Sequence, residues 1–380
     1  MGTSPARLKL THRIVSLFVG ESLHAKQTES IAHAALGVLR APNASIAAIG
    51  RASARSRGKR DKHGIKQVDR LLSNDRIRIE RLFGSYVRAL VGGRKEITAA
   101  IDWSDYARSG HSKVAISLVT RHGRATPLVW LTVATAKLKR RRASYEQRAL
   151  RMLKWALGDD VTVTILADRG FGDSALYEQM KKLLRFHFVI RFRGGIQVTS
   201  AEGETRPAVE WVAPNGRAVL LANAKVTARC VPVAAVVTVK RKGMKEPWIL
   251  ATSREDDAEA IVTLYARRFT IEETFRDHKD WRFGVALAHM RIGNPARRDR
   301  LLLVVALATI IATLFGAAGE RLGLDRYLRA NTLRSRTHSL FRQGREYIAG
   351  VPRDVGRKLR AHVRDLLKLH ASNAEVFATI

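Results

Sequence analysis

The chain has 380 residues, 46% of them hydrophobic, so it is long enough for about two to four structural units with a substantial core. Its 68 lysines and arginines outnumber its 34 aspartates and glutamates, and the formal net charge of +34 favours a polyanionic partner, first of all nucleic acid. A single cysteine, Cys230, excludes an internal disulfide and a cysteine-based zinc site, and it is typical of a protein of the reducing cytoplasm.

Residues 1–95 are predicted to form a basic, helical, DNA-binding region. Apolar residues recur at helical spacing in three stretches, and a run rich in lysine and arginine lies between residues 51 and 66. The three stretches are 24–40, 68–72 and 77–90. No clean helix-turn-helix pattern stands out, so the element that enters a DNA groove stays open. The first residues lack a long apolar segment and a cleavage site, so we expect no signal peptide.

Residues 96–192 are predicted to form the first part of a catalytic domain. Stretches rich in β-branched and aromatic residues alternate with helical patterns in the order strand, strand, strand, helix, strand, helix, strand. The predicted strands are 97–103, 114–120, 127–133, 161–167 and 186–192, and the predicted helices are 144–157 and 174–184. This order is that of the ribonuclease-H-like α/β fold, a mixed sheet with helices on its faces.

The rest of the chain divides into three predicted regions. Residues 193–256 read as short strands and turns, a β-rich insertion; residues 257–319 are helical and complete the catalytic domain; residues 320–380 are again helical and basic. Residues 301–318 carry no charge and are long enough to span a membrane. A buried core helix is the better interpretation, because a single mid-chain span would split a basic, nucleic-acid-like chain between two compartments.

One helical stretch, residues 265–279, carries a distinctive polar face. Tyr265, Arg268, Glu272 and Lys279 follow one another at offsets of three, four and seven, which places them within roughly 60° of arc on a helix. One carboxylate flanked by two cations and a phenol suits a site that holds a divalent metal and phosphates together. Glu273 is the rival carboxylate, but it points about 100° away around the helix and ranks below Glu272.

Two aspartates follow apolar strands upstream of this helix. Asp102 closes the strand in Ile-Asp-Trp-Ser, and Asp168 closes the strand in Ala-Asp-Arg-Gly-Phe. If the two strands are neighbours, the carboxylates converge at one edge of the sheet, and Glu272 can supply a third. Three clustered carboxylates repel one another, and a pair of divalent cations suited to phosphodiester chemistry is their natural partner.

With these motifs the chain resembles the DDE transposases of the insertion sequence four family, over about residues 90–320. The resemblance rests on the spacing Tyr-x2-Arg-x3-Glu-x6-Lys together with Asp102-Trp-Ser and Asp168-Arg-Gly-Phe. It implies a ribonuclease-H-like domain with a β-rich insertion, two Mg²⁺ or Mn²⁺ ions, cleavage at transposon ends and joining of the freed 3′ ends to target DNA. It further implies a homodimer that holds two ends of double-stranded DNA in the bacterial cytoplasm, at the nucleoid and away from any membrane.

Carried over residue by residue, the resemblance implies two sets of roles. The metal ligands would be Asp102, Asp168 and Glu272. The phosphate contacts near the transposon end would be Tyr265, Arg268 and Lys279. Trp248 matches a tryptophan that relatives stack on a flipped base, although its place in an apolar strand fits a core residue equally well. Two other functions stay open, a ribonuclease-H-like nuclease that cuts without joining and a non-catalytic, DNA-binding repressor.

Overall fold

The computed structural model describes residues 5–282 and 284–372, so the ends of the predicted terminal regions, 1–4 and 373–380, lie outside the described residues. Residues 5–91 are helical, as the sequence predicts. The helices are α1 (Pro5–Val19), α2 (Ala25–Arg40), α3 (Ile46–Ser56), α4 (Asp61–Ser73) and α5 (Ile79–Val91). Each buries an apolar face, and all five contribute residues to the hydrophobic core.

The central sheet has the ribonuclease-H-like arrangement. Its first strands and their connecting helices are β1 (Glu96–Tyr106), β2 (His111–Val119), β3 (Ala125–Ala134), α6 (Arg142–Leu157), β4 (Thr162–Ala167), α7 (Ser174–Glu178) and β5 (His187–Arg191). They lie in the order β3-β2-β1-β4-β5, with β1 antiparallel to β2 and parallel to β4. Every residue of β2 is buried, as expected for a sheet covered on both faces. The predicted fold class is confirmed.

The β-rich insertion is divided between two sheets. Its strands are β6 (Gln197–Thr199), β7 (Thr205–Pro207), β8 (Val219–Ala222), β9 (Lys225–Val226), β10 (Val231–Pro232), β11 (Ala235–Val239) and β12 (Trp248–Thr252). β12 pairs antiparallel with β5, so β12, β11 and β8 extend the central sheet to eight strands. The other four strands form a small sheet of their own.

Helices follow the insertion. They are α8 (Ala258–Ala266), α9 (Thr270–Lys279), α10 (Pro295–Arg321), α11 (Leu340–Ala349) and α12 (Arg353–Ser372). Among the described residues, α10 is the one helix long and apolar enough to cross a membrane, and its apolar window is wholly buried inside the protein. It is the core helix that the sequence favours. The expectation of one continuous helix over 265–279 is wrong, because a 3₁₀ turn, Arg267–Phe269, separates α8 from α9.

Candidate active site

Asp102 and Asp168 lie side by side at one edge of the parallel ladder. The last parallel pair joins Ile101 of β1 to Ala167 of β4. Asp102 follows Ile101 directly, and Asp168 follows Ala167 directly. The expectation that Asp102 ends its strand is wrong, because β1 continues to Tyr106 in antiparallel pairing with β2. The predicted convergence nevertheless holds, because β4 ends where the two strands part.

Each aspartate has one oxygen held by the backbone. Asp102 Oδ1 accepts a hydrogen bond from the Trp103 amide at 2.7 Å, and Asp168 Oδ1 accepts one from the Gly170 amide at 2.8 Å. Asp168 thereby caps the 3₁₀ turn that follows β4. These bonds orient both carboxylates and leave Oδ2 of each without a hydrogen-bond donor among the described residues.

Arg268 joins the strand carboxylates to the helix carboxylate. Its Nη2 donates to Glu272 Oε1 at 2.5 Å, and its Nη1 lies 3.9 Å from Asp102 Oδ2. The side chain of Arg268 is 6% exposed, whereas that of Glu272, at the start of α9, is 46% exposed. Nη1 has no hydrogen-bond partner in the described part of the chain. Arg268 is therefore a buried cation between two carboxylates, with donor capacity to spare.

The electrostatics of the site disfavour the charged form of Asp102. Burial, and next the charge of Asp168, raise the pKa of Asp102 to about 6, with a further contribution from Glu272. Burial by itself would lower the pKa of Arg268, but Tyr265, Glu272 and Asp102 raise it above its usual value. A second cation placed among these carboxylates would therefore be stabilised.

Tyr265 and Lys279 flank this group on α8 and α9. Tyr265 is buried, which raises the pKa of its phenol, and the charges of Arg268 and Asp168 also act on it. Burial lowers the pKa of Lys279, whereas Asp105 and Asp102 act in the opposite direction. The Lys279 ammonium lies 5.7 Å from the centre of the Tyr106 ring. Asp168 thus acts on Tyr265, and Asp102 acts on Arg268 and Lys279, in spite of the break in the helix.

Glu273 takes part in a different set of contacts. It forms ion pairs with Arg124 at 3.5 Å and with Arg276 at 2.9 Å. Arg124 also pairs with Asp277, four residues further along α9, at 2.7 Å. These cations bind Glu273 on the face of α9 that carries Asp277.

An aromatic group adjoins the polar face. Trp248, at the start of β12, is half-buried and packs edge-on against Tyr265 with ring centres 5.0 Å apart. Phe269 lies 5.9 Å from Trp248, and 41% of its surface is exposed. The guanidinium of Arg268 lies 4.6 Å from the centre of the Phe269 ring. Phe269 has no counterpart in the sequence predictions; it lies in the 3₁₀ turn beside the buried Arg268.

A second residue that sequence reasoning missed is Glu146. It is buried on α6, and its Oε1 accepts a hydrogen bond from Trp103 Nε1 at 2.7 Å. The guanidinium of Arg142 lies over the Trp103 ring, 4.9 Å from its centre. Because Trp103 follows Asp102, these contacts fix the backbone amide that orients the aspartate. The sequence contains one indication of this role: Glu146 occupies an apolar position of the predicted helix 144–157, where a carboxylate needs a hydrogen-bond partner.

The donor chemistry of the site suits a hard divalent cation. Asp102, Asp168 and Glu272 supply carboxylate oxygens, and burial, followed by the charge of Asp168, raises the pKa of Asp102. Within residues 5–282 and 284–372, no three Asp, Glu, His or Cys side chains are placed to share one metal ion. Arg268 supplies the cation in this arrangement, and a metal would have to replace it beside Glu272.

Comparison with known proteins adds one finding. A family model described as the transposase DDE domain matches residues 113–310, a little over half of the chain. The matched segment includes Asp168, Glu272 and the whole polar face, and it begins after Asp102. A search of curated proteins finds no match.

Proposed function

The chain belongs to the transposase DDE domain family, and from this premise we propose that it is a cut-and-paste DNA transposase of the insertion sequence four type. It cleaves at the ends of its element and joins the freed 3′ ends to target DNA. The net charge of +34 suits a protein that binds double-stranded DNA at both steps. Such a protein acts in the bacterial cytoplasm, at the nucleoid.

One observation carries this proposal. A buried arginine, Arg268, links the helix carboxylate Glu272 at 2.5 Å to the strand carboxylate Asp102 at 3.9 Å, and Asp168 follows the neighbouring parallel strand beside Asp102. We infer that Asp102, Asp168 and Glu272 hold two Mg²⁺ ions, with Mn²⁺ as a substitute. Bound there, the ions would activate a water or a 3′-hydroxyl and stabilise the leaving oxygen.

The protein's own groups prepare this site. The amides of Trp103 and Gly170 fix one oxygen of each aspartate and leave the other oxygen for a ligand. The pKa of Asp102 is raised to about 6 by burial and next by the charge of Asp168, so a cation bound beside this carboxylate would stabilise its charged form. Arg268 neutralises Glu272 before that cation binds and, once released, has five N–H donors for a phosphate.

We assign the remaining polar and aromatic residues to the DNA strand that is attacked. Lys279 is half-buried beside Asp102 and Asp105, where a phosphate bridged to the site would meet its ammonium. Tyr265 and Arg268 complete this phosphate site. Trp248 supports an extruded base together with the exposed ring of Phe269, because two aromatic side chains offer stacking surface that suits any base.

The proposed enzyme works as a homodimer. Strand transfer couples two ends of the element, and each end needs one active site. A dimer bound to both ends before cleavage is the arrangement that this requirement favours.

A strand-transfer assay tests the proposal. Pre-cut duplexes made from the DNA that flanks the gene are mixed with a target plasmid, Mg²⁺ and the full-length protein. We expect joined products with the wild type and none with Asp102→Asn, Asp168→Asn or Glu272→Gln, all of which should still bind DNA. The matched control is Glu273→Gln on the same helix, which should retain joining.

Each other outcome of this assay has a definite meaning. Nicking without joining would identify a nuclease, and DNA binding without cleavage would identify a repressor; either would overturn the proposal. Joining by any of the three carboxamide variants at the wild-type rate would remove that residue from the site. Loss of joining by Glu273→Gln but not by Glu272→Gln would exchange the two assignments.

A further inference from the structure

We propose that α3 and α4 form a helix-turn-helix whose second helix, α4, reads the DNA sequence in the major groove. The inference rests on the proposed function, because it names the element that recognises the transposon end. Four residues, 57–60, connect the two helices, and Gly58 adopts the left-handed conformation at φ +66°. A turn of three or four residues that contains glycine is the connection found in this motif.

The helices of this unit are locked together at close range. A Cβ atom at Gly64 of α4 would overlap the Gly50 carbonyl oxygen of α3, and one at Gly50 would overlap the backbone of Ile65. α2 packs on α3 through Gly37 in the same manner, because a Cβ there would come within 2.6 Å of the Ile49 carbonyl oxygen. Such backbone contact fixes the crossing of the helices and makes α4 a rigid reading element.

Arg57, in the turn, ties all three helices to one another. Its side chain donates to the Ser53 carbonyl on α3 at 3.1 Å and to Gln67 Oε1 on α4 at 2.8 Å. Its Nη1 also lies 3.1 Å from His33 Nδ1 on α2. The turn is therefore held by side-chain hydrogen bonds to α2, α3 and α4. Sequence periodicity does not reveal these bonds.

The outer face of α4 carries positive charge that the protein leaves uncompensated. Both acidic residues of the helix are paired, Asp61 with Arg55 at 2.8 Å and Asp69 with Arg297 at 2.7 Å. The helix also exposes Lys62, His63, Lys66 and Arg70. No carboxylate lies within ion-pair distance of any of these four among the described residues. A face whose acids are already paired and whose lysines and arginine are free matches a polyanion.

A groove of about 350 Å³ runs between α4 and the start of α2. Besides residues of α4, it is lined by Lys26, Gln27 and Ser30 of α2 and by Asn74, with no carboxylate among its lining residues. In docked helix-turn-helix units the N-terminal part of the second helix contacts base edges, and residues around it contact the backbone. His63 and Lys66 accordingly read bases, while Lys26 and Arg70 bind phosphates.

The C-terminal end of α4 connects this unit to the core. Arg297, at the start of α10, binds Asp69 and the Ser73 hydroxyl, and Arg300 donates to the Leu72 carbonyl at 2.8 Å. α10 runs on as the central buried helix of the catalytic domain. The reading helix is thus attached to the catalytic core at the end opposite to its base-contacting residues.

The test is a binding experiment with the full-length protein in EDTA, so that no cleavage intervenes. Duplexes with 20 random base pairs, about two helical turns and long enough for one such unit, are selected for binding to the wild-type protein. The affinity for the enriched duplex is then compared with that for a shuffled duplex by fluorescence anisotropy. We expect Lys66→Met and His63→Ala each to reduce the preference for the enriched duplex roughly fivefold to hundredfold. Arg70→Met should weaken binding to both duplexes alike and reduce the salt slope by about one.

The matched control is Lys225→Met, a change at an exposed lysine of β9 in the insertion, which should bind both duplexes as the wild type does. Methylation of guanine N7 in the enriched duplex should block binding, because N7 faces the major groove. The proposal is overturned if no sequence is enriched, if Lys66→Met and His63→Ala both keep the wild-type preference, or if only minor-groove methylation interferes. A protein that reads sequence through α4 but never joins DNA ends would refute transposition and leave this inference standing.

Discussion

Replacement of Arg268 by methionine tests the geometry of the site most sharply without DNA. Methionine keeps much of the side-chain volume and removes the cation that lies between Glu272 and Asp102. In the variant, Asp102 loses its ion-pair partner, the charge of Asp168 still acts on it, and Lys279 is the cation that remains nearby. We expect the metal-free variant to be less stable than the wild type.

The size of the loss follows from the burial of each partner. Removal of one partner from a fully buried ion pair costs roughly 3–5 kcal/mol. The Glu272 side chain is 46% exposed and regains water, whereas that of Asp102 is only 18% exposed and does not. We therefore expect a loss of roughly 2–3 kcal/mol in the free energy of unfolding. Arg276→Met is the matched control, because Arg276 pairs with Glu273 on the exposed side of α9; its loss should stay below about 1 kcal/mol.

Urea denaturation with and without Mg²⁺ measures both effects. Arginine competes with the metal for Glu272, so its removal should tighten Mg²⁺ binding. Tenfold tighter binding recovers about 1.4 kcal/mol of the lost stability when Mg²⁺ is in excess. Arg268 does not occupy the place of a metal if Arg268→Met loses no more stability than Arg276→Met, or if Mg²⁺ stabilises the wild type and the variant equally.

Three further predictions concern other parts of the chain. Burial and the nearby Arg336 and Arg124 lower the pKa of His122 to about 4. In the unfolded chain the same imidazole takes up a proton near pH 6.5, so His122 favours unfolding progressively as the pH falls below that value. His122→Leu should therefore be less acid-sensitive than the wild type by about 2.5 kcal/mol at pH 4.5 in urea denaturation, and an equal sensitivity would refute the shift. Gly344→Ala should lower the free energy of unfolding by about 3 kcal/mol, because the new Cβ would overlap a backbone carbonyl of α10. The control Gly356→Ala in α12 should raise it by roughly 0.5 kcal/mol. Changes of the same sign in both variants would contradict the close packing of α11 on α10. Lys279→Ala should reduce the salt slope of DNA binding by about one, and an unchanged slope would remove Lys279 from the phosphate contacts.

The fold and the pairing of the aspartates could be predicted because each depends on local patterns. Alternation of strands and helices sets the order of the sheet, and an aspartate after an apolar strand marks its edge. The continuation of β1 past Asp102 could not be predicted, because it depends on pairing with β2. Likewise, the pairing of β12 with β5 could not be predicted, because it joins segments that are distant in the sequence.

The features that sequence reasoning missed are those in which side chains meet across elements. The break in the helix at Arg267–Phe269 leaves the residue spacing unchanged, so periodicity does not reveal it. The helix-turn-helix depends on close backbone contact between α3 and α4 at Gly50 and Gly64. An isolated glycine inside a helical pattern does not indicate which helix packs against it. Glu146 could have been suspected, but its partner Trp103 lies 43 residues away.

The central claim is that Asp102, Asp168 and Glu272 share divalent cations in place of Arg268. Anomalous diffraction from crystals of the wild-type protein soaked with Mn²⁺ tests it most directly. We expect anomalous peaks bound by oxygens of all three carboxylates, with the Arg268 guanidinium moved away from Glu272. Peaks that omit Glu272, or an Arg268 that still bridges Glu272 and Asp102 with manganese bound elsewhere, would contradict it.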